Sequence, residues 1–221
     1  MSAYATLRKN MIEGQIRIGG VTNEGLLDIL SSVPREEFVP ANVRDVAYCD
    51  EDISIGHGRY LLQPMNFAKM LQAVAPTIDD GVLIVGSGTG YGLAVVSALA
   101  QYAVGVEENT ELAQESVRAL SRFNVQNVKV EATRHMNGMP EHAPYDIIIV
   151  EGGAMVSFPD VLASQLKDNG RAVYIERDTK ATTAQAVMLQ KLDGNTWSRR
   201  VLFDCHAEFL PGFGPSQRFV L

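Results

Sequence analysis

Four consecutive apolar residues, Val82-Leu83-Ile84-Val85, run directly into Gly86-Ser87-Gly88-Thr89-Gly90, and Tyr91 to Ala100 then reads as a helix. A short unbroken apolar run stopped by glycine is what a strand buried on both faces of a parallel sheet requires, because neither face meets water. The glycines that follow let the backbone turn tightly and approach a ligand at the helix N-terminus. Strand, glycine loop and helix in this order restrict the chain to an α/β fold with a crevice at the carboxyl end of that strand. A loop that only packs helix on strand needs the same glycines, so the next strand has to separate the two readings.

That strand, Ala103 to Val106, ends on Glu107, roughly twenty residues past the first glycine, where an acid can accept hydrogen bonds from both hydroxyls of a ribose. A dinucleotide fingerprint would have its third glycine at position 91, which is Tyr91. The spacing therefore favours the nucleoside part of S-adenosylmethionine over the pyrophosphate of NAD.

The alternation continues with helix Leu112 to Phe123, strand Val128 to Glu131, strand Asp146 to Val150, helix Val161 to Leu166 and strand Arg171 to Ile175. Segments Gln185 to Leu192 and Trp197 to Asp204 flank Asp193-Gly194-Asn195, a hairpin turn signal. The expected sheet is mostly parallel with an antiparallel C-terminal edge. Ahead of it, Ala5 to Ile16 has helical periodicity ended by Gly19-Gly20, a second helix starts at Thr22 and runs towards Pro34, and a third opens at Pro64. Between them Gly56-His57-Gly58 reads as a loop close to a ligand. The expectation is one domain over residues 1–221, with 1–76 as N-terminal helices and a cofactor-covering loop and 77–221 as the core.

A net charge of −7 argues against broad binding to nucleic acid or anionic lipid, which needs clustered Lys and Arg. No stretch of eighteen residues is free of polar groups and Met1 to Glu13 has no apolar leader, so a cytoplasmic location without membrane attachment is expected. Cys49 and Cys205 form no CxxC, and His57, His135, His142 and His206 are scattered, so no metal is expected. His57 and His135 read more readily as locally bonded than as catalytic.

Several further blocks carry a resemblance: Met11-Ile12-Glu13-Gly14-Gln15-Ile16, Val33-Pro34-Arg35-Glu36-Glu37-Phe38-Val39-Pro40, Ala47-Tyr48, and Gly56-His57-Gly58 followed by Gln63-Pro64. Ala143-Pro144-Tyr145-Asp146, Gln165-Leu166-Lys167 and Gly170-Arg171 extend it. Together with the glycine loop they resemble the protein-L-isoaspartate O-methyltransferase family over almost the whole chain. The resemblance implies a Rossmann-like methyltransferase fold and S-adenosylmethionine held by Gln63, Gly86, Ser87, Gly88, Thr89, Gly90, Glu107 and Arg134. It also implies an isoaspartyl protein or peptide as acceptor, met by Tyr60, Leu62, Pro64 and Glu151. Where the family has a threonine and a serine before Gln-Pro, this chain has Tyr60 and Leu62; Ile84 replaces an acid in the first strand, and Thr133-Arg134-His135 replaces a Gly-Asp-Gly block.

No catalytic acid or base is assigned, since an isoaspartyl carboxylate is already ionised near neutral pH and its methylation rests on alignment in a dry site. Leu62 removes a hydroxyl from the loop that the resemblance gives to the acceptor. Weak isoaspartyl methylation is therefore expected, with Leu62→Ser as the change that restores it. Methylation of another acceptor, and cofactor binding without turnover, are the alternatives.

Overall fold

The protein is described by a computed structural model over residues 3–193 and 196–215. Helix α1 (Ala3–Met11) passes into a π turn over Ile12–Ile16, and together they bury Met11, Ile12 and Ile16. The second helix starts at Glu24, two residues past the expected Thr22, because the side chain of Asn23 caps α2 (Glu24–Ser32) by accepting from Leu26 N–H at 3.0 Å. Two short strands follow, β1 (Ile53–Gly56) and β2 (Arg59–Leu61), paired antiparallel. Gly56, His57 and Gly58 make the turn between them, all with positive φ (88°, 54° and 67°). The expected ligand loop is thus the tip of a hairpin whose strands are too short to announce themselves by alternation. Pro64 occupies the first turn of α3 (Pro64–Val74), where its missing N–H costs nothing.

The main sheet is built from β3 (Gly81–Val85), β4 (Tyr102–Glu107), β5 (Val128–Ala132), β6 (Tyr145–Met155), β7 (Leu166–Glu176), β8 (Ala184–Lys191) and β9 (Trp197–Cys205). Its order is β5-β4-β3-β6-β7-β8-β9. Strands β3 to β7 pair in parallel, and β8 and β9 add antiparallel. Val82 to Val85 have no exposed surface, as their unbroken apolar run requires. Helices α4 (Tyr91–Ser97), α5 (Thr110–Arg122) and α6 (Asp160–Ala163) occupy the crossovers.

Strands β6 and β7 run longer than the expected Asp146 to Val150 and Arg171 to Ile175, and two helix ends differ for local reasons. Helix α4 stops at Ser97, since the chain must turn through Ala98 to Ala100 to start β4 at Tyr102. The expected helix to Leu166 is only four residues long, because Tyr145 N–H takes Gln165 O and Leu166 pairs with Tyr145. Of the expected hairpin turn, Gly194 and Asn195 lie outside the described residues, and β8 and β9 pair as far as Lys191 and Trp197.

One apolar cluster joins Met11, Leu30, Phe38, Leu62 and Phe67 to Ile84, Ile149 and Val173, so the N-terminal elements share a core with one face of the sheet. The other face packs Leu83, Val85, Val106 and Val150 with Leu210 and Phe213. That C-terminal segment is tied to the end of β6, with Ala154 N–H donating to Glu208 O at 2.7 Å and Leu210 N–H to Ala154 O at 2.8 Å. Arg35, with no exposed surface, pins the N-terminal part by donating to Ala47 O (2.8 Å) and Leu62 O (2.6 Å) while lying 4.9 Å from the Tyr91 ring centre. Among the described residues no helix is long and apolar enough to cross a membrane.

Helix α5 depends on Asn109, whose side chain accepts from Leu112 N–H at 3.0 Å. Asn109→Ala should lower stability by about 1 kcal/mol. Urea unfolding with an unchanged midpoint would show that this cap adds nothing.

Candidate cofactor site

The chain leaves β3 towards β4 on one side and its other neighbour is β6, so the sheet changes direction there and a crevice opens above the carboxyl ends of these strands. The glycine loop lies in it. Gly86, Gly88 and Gly90 take positive φ of 76°, 52° and 94°, a conformation that side chains resist. Gly86 and Ser87 N–H both donate to Val106 O, at 2.8 and 3.1 Å, which folds the loop back onto β4. Thr89 Oγ1 donates to Phe38 O and so ties the loop to the N-terminal part. Two buried hydroxyls beside the loop, Ser87 Oγ and Ser116 Oγ, have no hydrogen-bond partner among the described residues.

Glu107 ends β4 inside the crevice with no exposed surface. Its Oε2 accepts from Gly88 N–H (2.8 Å) and from Arg59 Nε (3.3 Å) and Nη2 (3.1 Å), and its Oε1 accepts from Asn109 N–H (3.0 Å). His135 Nε2 stands 3.3 Å from Oε1. Burial alone would push the carboxyl up, but His135, the Arg59 charge and the Asn109 N–H outweigh it and hold it at about 2. Glu108 N–H donates to that same Nε2 at 3.0 Å, and Nδ1 faces Pro211 O at 3.3 Å.

Arg59 is the residue that motif reading passed over. It is 1% exposed and reaches from β2 across the crevice, donating to Gly86 O at 2.7 Å and Gly152 O at 3.3 Å as well as to Glu107. One guanidinium thus spans the ends of β3, β4 and β6. The available signal was its position, two residues before Leu61 on the buried side of a short strand, where a charge needs a partner.

The other expected site residues are dispersed. Arg134 is exposed, with no partner for its side chain among the described residues. Gln63 donates from Nε2 to Asp50 O and from its backbone to Asp52, and lines with Tyr60, His206 and Glu208 an acidic cleft of about 470 Å³ that shares no lining residue with the glycine loop. Pro64 is buried at the start of α3. Leu62, expected to face the acceptor, is 1% exposed and belongs to the apolar core; β2 ends at Leu61, and buried Arg35 holds the Leu62 carbonyl against the N-terminal part.

Glu151 is 3% exposed. Its side chain does not stand free at a strand end but folds against Gly92 in the first turn of α4, where a Cβ would lie 1.9 Å from Oε2. Burial raises this carboxyl to about 8, against the opposing pull of Arg35, Arg59 and the Gly92 N–H. The crevice therefore holds one carboxylate and one neutral carboxylic acid at neutral pH.

The family model for protein-L-isoaspartate(D-aspartate) O-methyltransferase matches residues 6–205. The chain belongs to this family. It is 40% identical over 173 residues to the protein-L-isoaspartate O-methyltransferase 2 of Anaeromyxobacter sp. (strain Fw109-5), covering 78% of this chain and 71% of that one. It is 33% identical over 214 residues to the protein-L-isoaspartate O-methyltransferase of Koribacter versatilis (strain Ellin345), covering 97% and 94%. Its fold is like that of a solved protein-L-isoaspartate O-methyltransferase (TM-score 0.79, 24% identity, covering 94% of this chain and 67% of the other). It is also like a Plasmodium falciparum protein described as such an enzyme, solved with S-adenosyl-L-homocysteine (TM-score 0.76, 19% identity, 92% and 98%). Membership makes the chain a Rossmann-like O-methyltransferase whose methyl donor is S-adenosylmethionine.

Two outcomes test this site. Because unfolding releases the proton that buried Glu151 keeps, stability should fall by about 1.4 kcal/mol per pH unit as pH rises from roughly 4.5 towards 8. Glu151→Gln should lack that slope; parallel stability curves for the two proteins would refute the assignment. Leu62→Ser should lower stability by about 3 kcal/mol or more through a cavity and a buried hydroxyl, without raising methyl transfer. A stable serine variant with faster transfer would place Leu62 at the acceptor after all.

Proposed function

We propose that the protein methylates the carboxylate of isoaspartyl residues in proteins or peptides, in the cytoplasm, with residues 1–221 acting as one unit in which 1–76 cover a core formed by 77–221. The observation that carries this reading is the ionised Glu107 at the end of β4 facing three left-handed glycines at the point where the sheet changes direction. The Ser87 and Ser116 hydroxyls, without a partner among the described residues, add donors that a polar ligand can use. The donor set fits a nucleoside, with Gly86, Ser87, Gly88, Thr89, Gly90 and Glu107 as its holders and Arg134 assigned to the rim, while Gln63 stands in the separate acidic cleft.

S-adenosylmethionine, when bound, supplies a methyl group on a positively charged sulfur. The remaining work belongs to this chain and is positional. An ionised acceptor needs no base, so the demands are exclusion of water and alignment of the acceptor oxygen. Arg35 serves the first, since its bonds to Ala47 O and Leu62 O hold the covering segment against α4. Tyr60, half-buried at the mouth of the acidic cleft, and Glu151, neutral beneath the loop, are assigned to the acceptor side. A protonated Glu151 adds no negative charge to repel an incoming carboxylate.

Calorimetry with S-adenosylhomocysteine should show binding that Glu107→Gln weakens by about 1.5–3 kcal/mol, roughly ten- to a hundredfold, through loss of hydrogen bonds to a charged acceptor. Labelled methyl should enter an isoaspartyl peptide and not its aspartyl counterpart. Binding without transfer to either peptide would retain the cofactor and discard the acceptor.

A further inference from the structure

Both oxygens of Glu107 are engaged by the protein itself, and Oε2 alone receives three donors. With Arg59 in place the carboxylate has no surface open to solvent. The loop is crowded as well: a Cβ placed on Gly86 would stand 2.5 Å from Glu151 O, 2.9 Å from Arg59 Nη2 and 3.0 Å from Leu210 Cδ1. From the other side Leu210 and Phe213 are buried over the crevice, and the Phe213 ring lies nearly parallel to that of His135, 18° between planes and 6.4 Å between centres. A flat aromatic ring thus rests next to Arg134-His135, beside the end of β4 and the Glu107 carboxylate that His135 approaches.

We propose that the chain locks its own cofactor crevice, with the Arg59 guanidinium on Glu107 and the Leu210–Phe213 segment filling the space that a nucleoside needs, so that ligand entry requires their withdrawal. This rests on the assignment of the crevice to S-adenosylmethionine and adds a regulation of it.

Neither part of the lock is a strand of the main sheet, although Leu210 and Phe213 pack against one of its faces. Arg59 belongs to the separate two-stranded hairpin, whose exposed tip is fastened by His57 Nε2 to Glu111 Oε2 at 3.1 Å. The Leu210–Phe213 segment follows the last strand and is held through Ala154, Val156 and His135. A site that is open only part of the time binds its ligand more weakly by the fraction open. Removing the lock therefore strengthens binding, the reverse of what loss of a merely structural contact does.

Because Glu107 serves ribose and lock alike, the test is made at Arg59 and at the C-terminal segment. S-adenosylhomocysteine is titrated calorimetrically into the full chain, into Arg59→Ala, and into the double variant Leu210→Ala with Phe213→Ala, each checked for a cooperative thermal transition. Both variants should bind at least about tenfold tighter than wild type. If Arg59→Ala does not fold, the double variant carries the comparison. Equal or weaker binding in the folded variants overturns the lock and leaves the cofactor assignment standing. No binding by any of the three at millimolar ligand removes both.

Discussion

A carboxylate without exposed surface has to be matched by positive charge and N–H donors, or it picks up a proton. Glu107 is matched by Arg59, Gly88 and Asn109, and most of the surrounding architecture can be traced to that requirement. Gly88 must be in the left-handed region for its N–H to point at the carboxylate, Asn109 offers its N–H from the residue that also caps α5, and Arg59 has to arrive from a hairpin projecting over the sheet. Truncating one member of such a set leaves the others buried and unpaired, which costs far more than the pair contributes when intact.

Glu107 and Glu151 show how neighbours decide the state of chemically identical groups. Each is buried in the same crevice, yet one is held ionised by a guanidinium in contact and the other stays neutral, because the charges of Arg35 and Arg59 fall short of repaying its desolvation. Of these two groups, only Glu107 carries the negative charge.

The fold was legible wherever apolar patterning alone determined it. Val82 to Val85, the glycine loop and Glu107 could be placed from the sequence because a buried parallel strand and its turn leave few alternatives. The β1–β2 hairpin could not, since strands of four and three residues carry too little periodicity and their glycines signal only a turn. Leu62 was read from motif position as a site residue, but its burial is set by Arg35 reaching Leu62 O across the chain, a contact between distant residues. Arg59 was hidden for the same reason: nothing local reveals that an arginine on a short strand faces an acid forty-eight positions away.

Among the described residues the seven-stranded sheet is open at both ends, at β5 and β9, and an open edge offers unpaired backbone groups to any passing chain. Both edges carry charges along their length. On β5, Lys129 meets Glu131 at 2.8 Å, and on β9 Arg199 and Arg200 are exposed, with Arg199 drawn to Glu176 at 2.7 Å. A second sheet approaching edge to edge would have to strip water from these groups before its first ladder bond formed. The mixed topology that ends in a hairpin thus also guards the molecule against polymerising through its own strands.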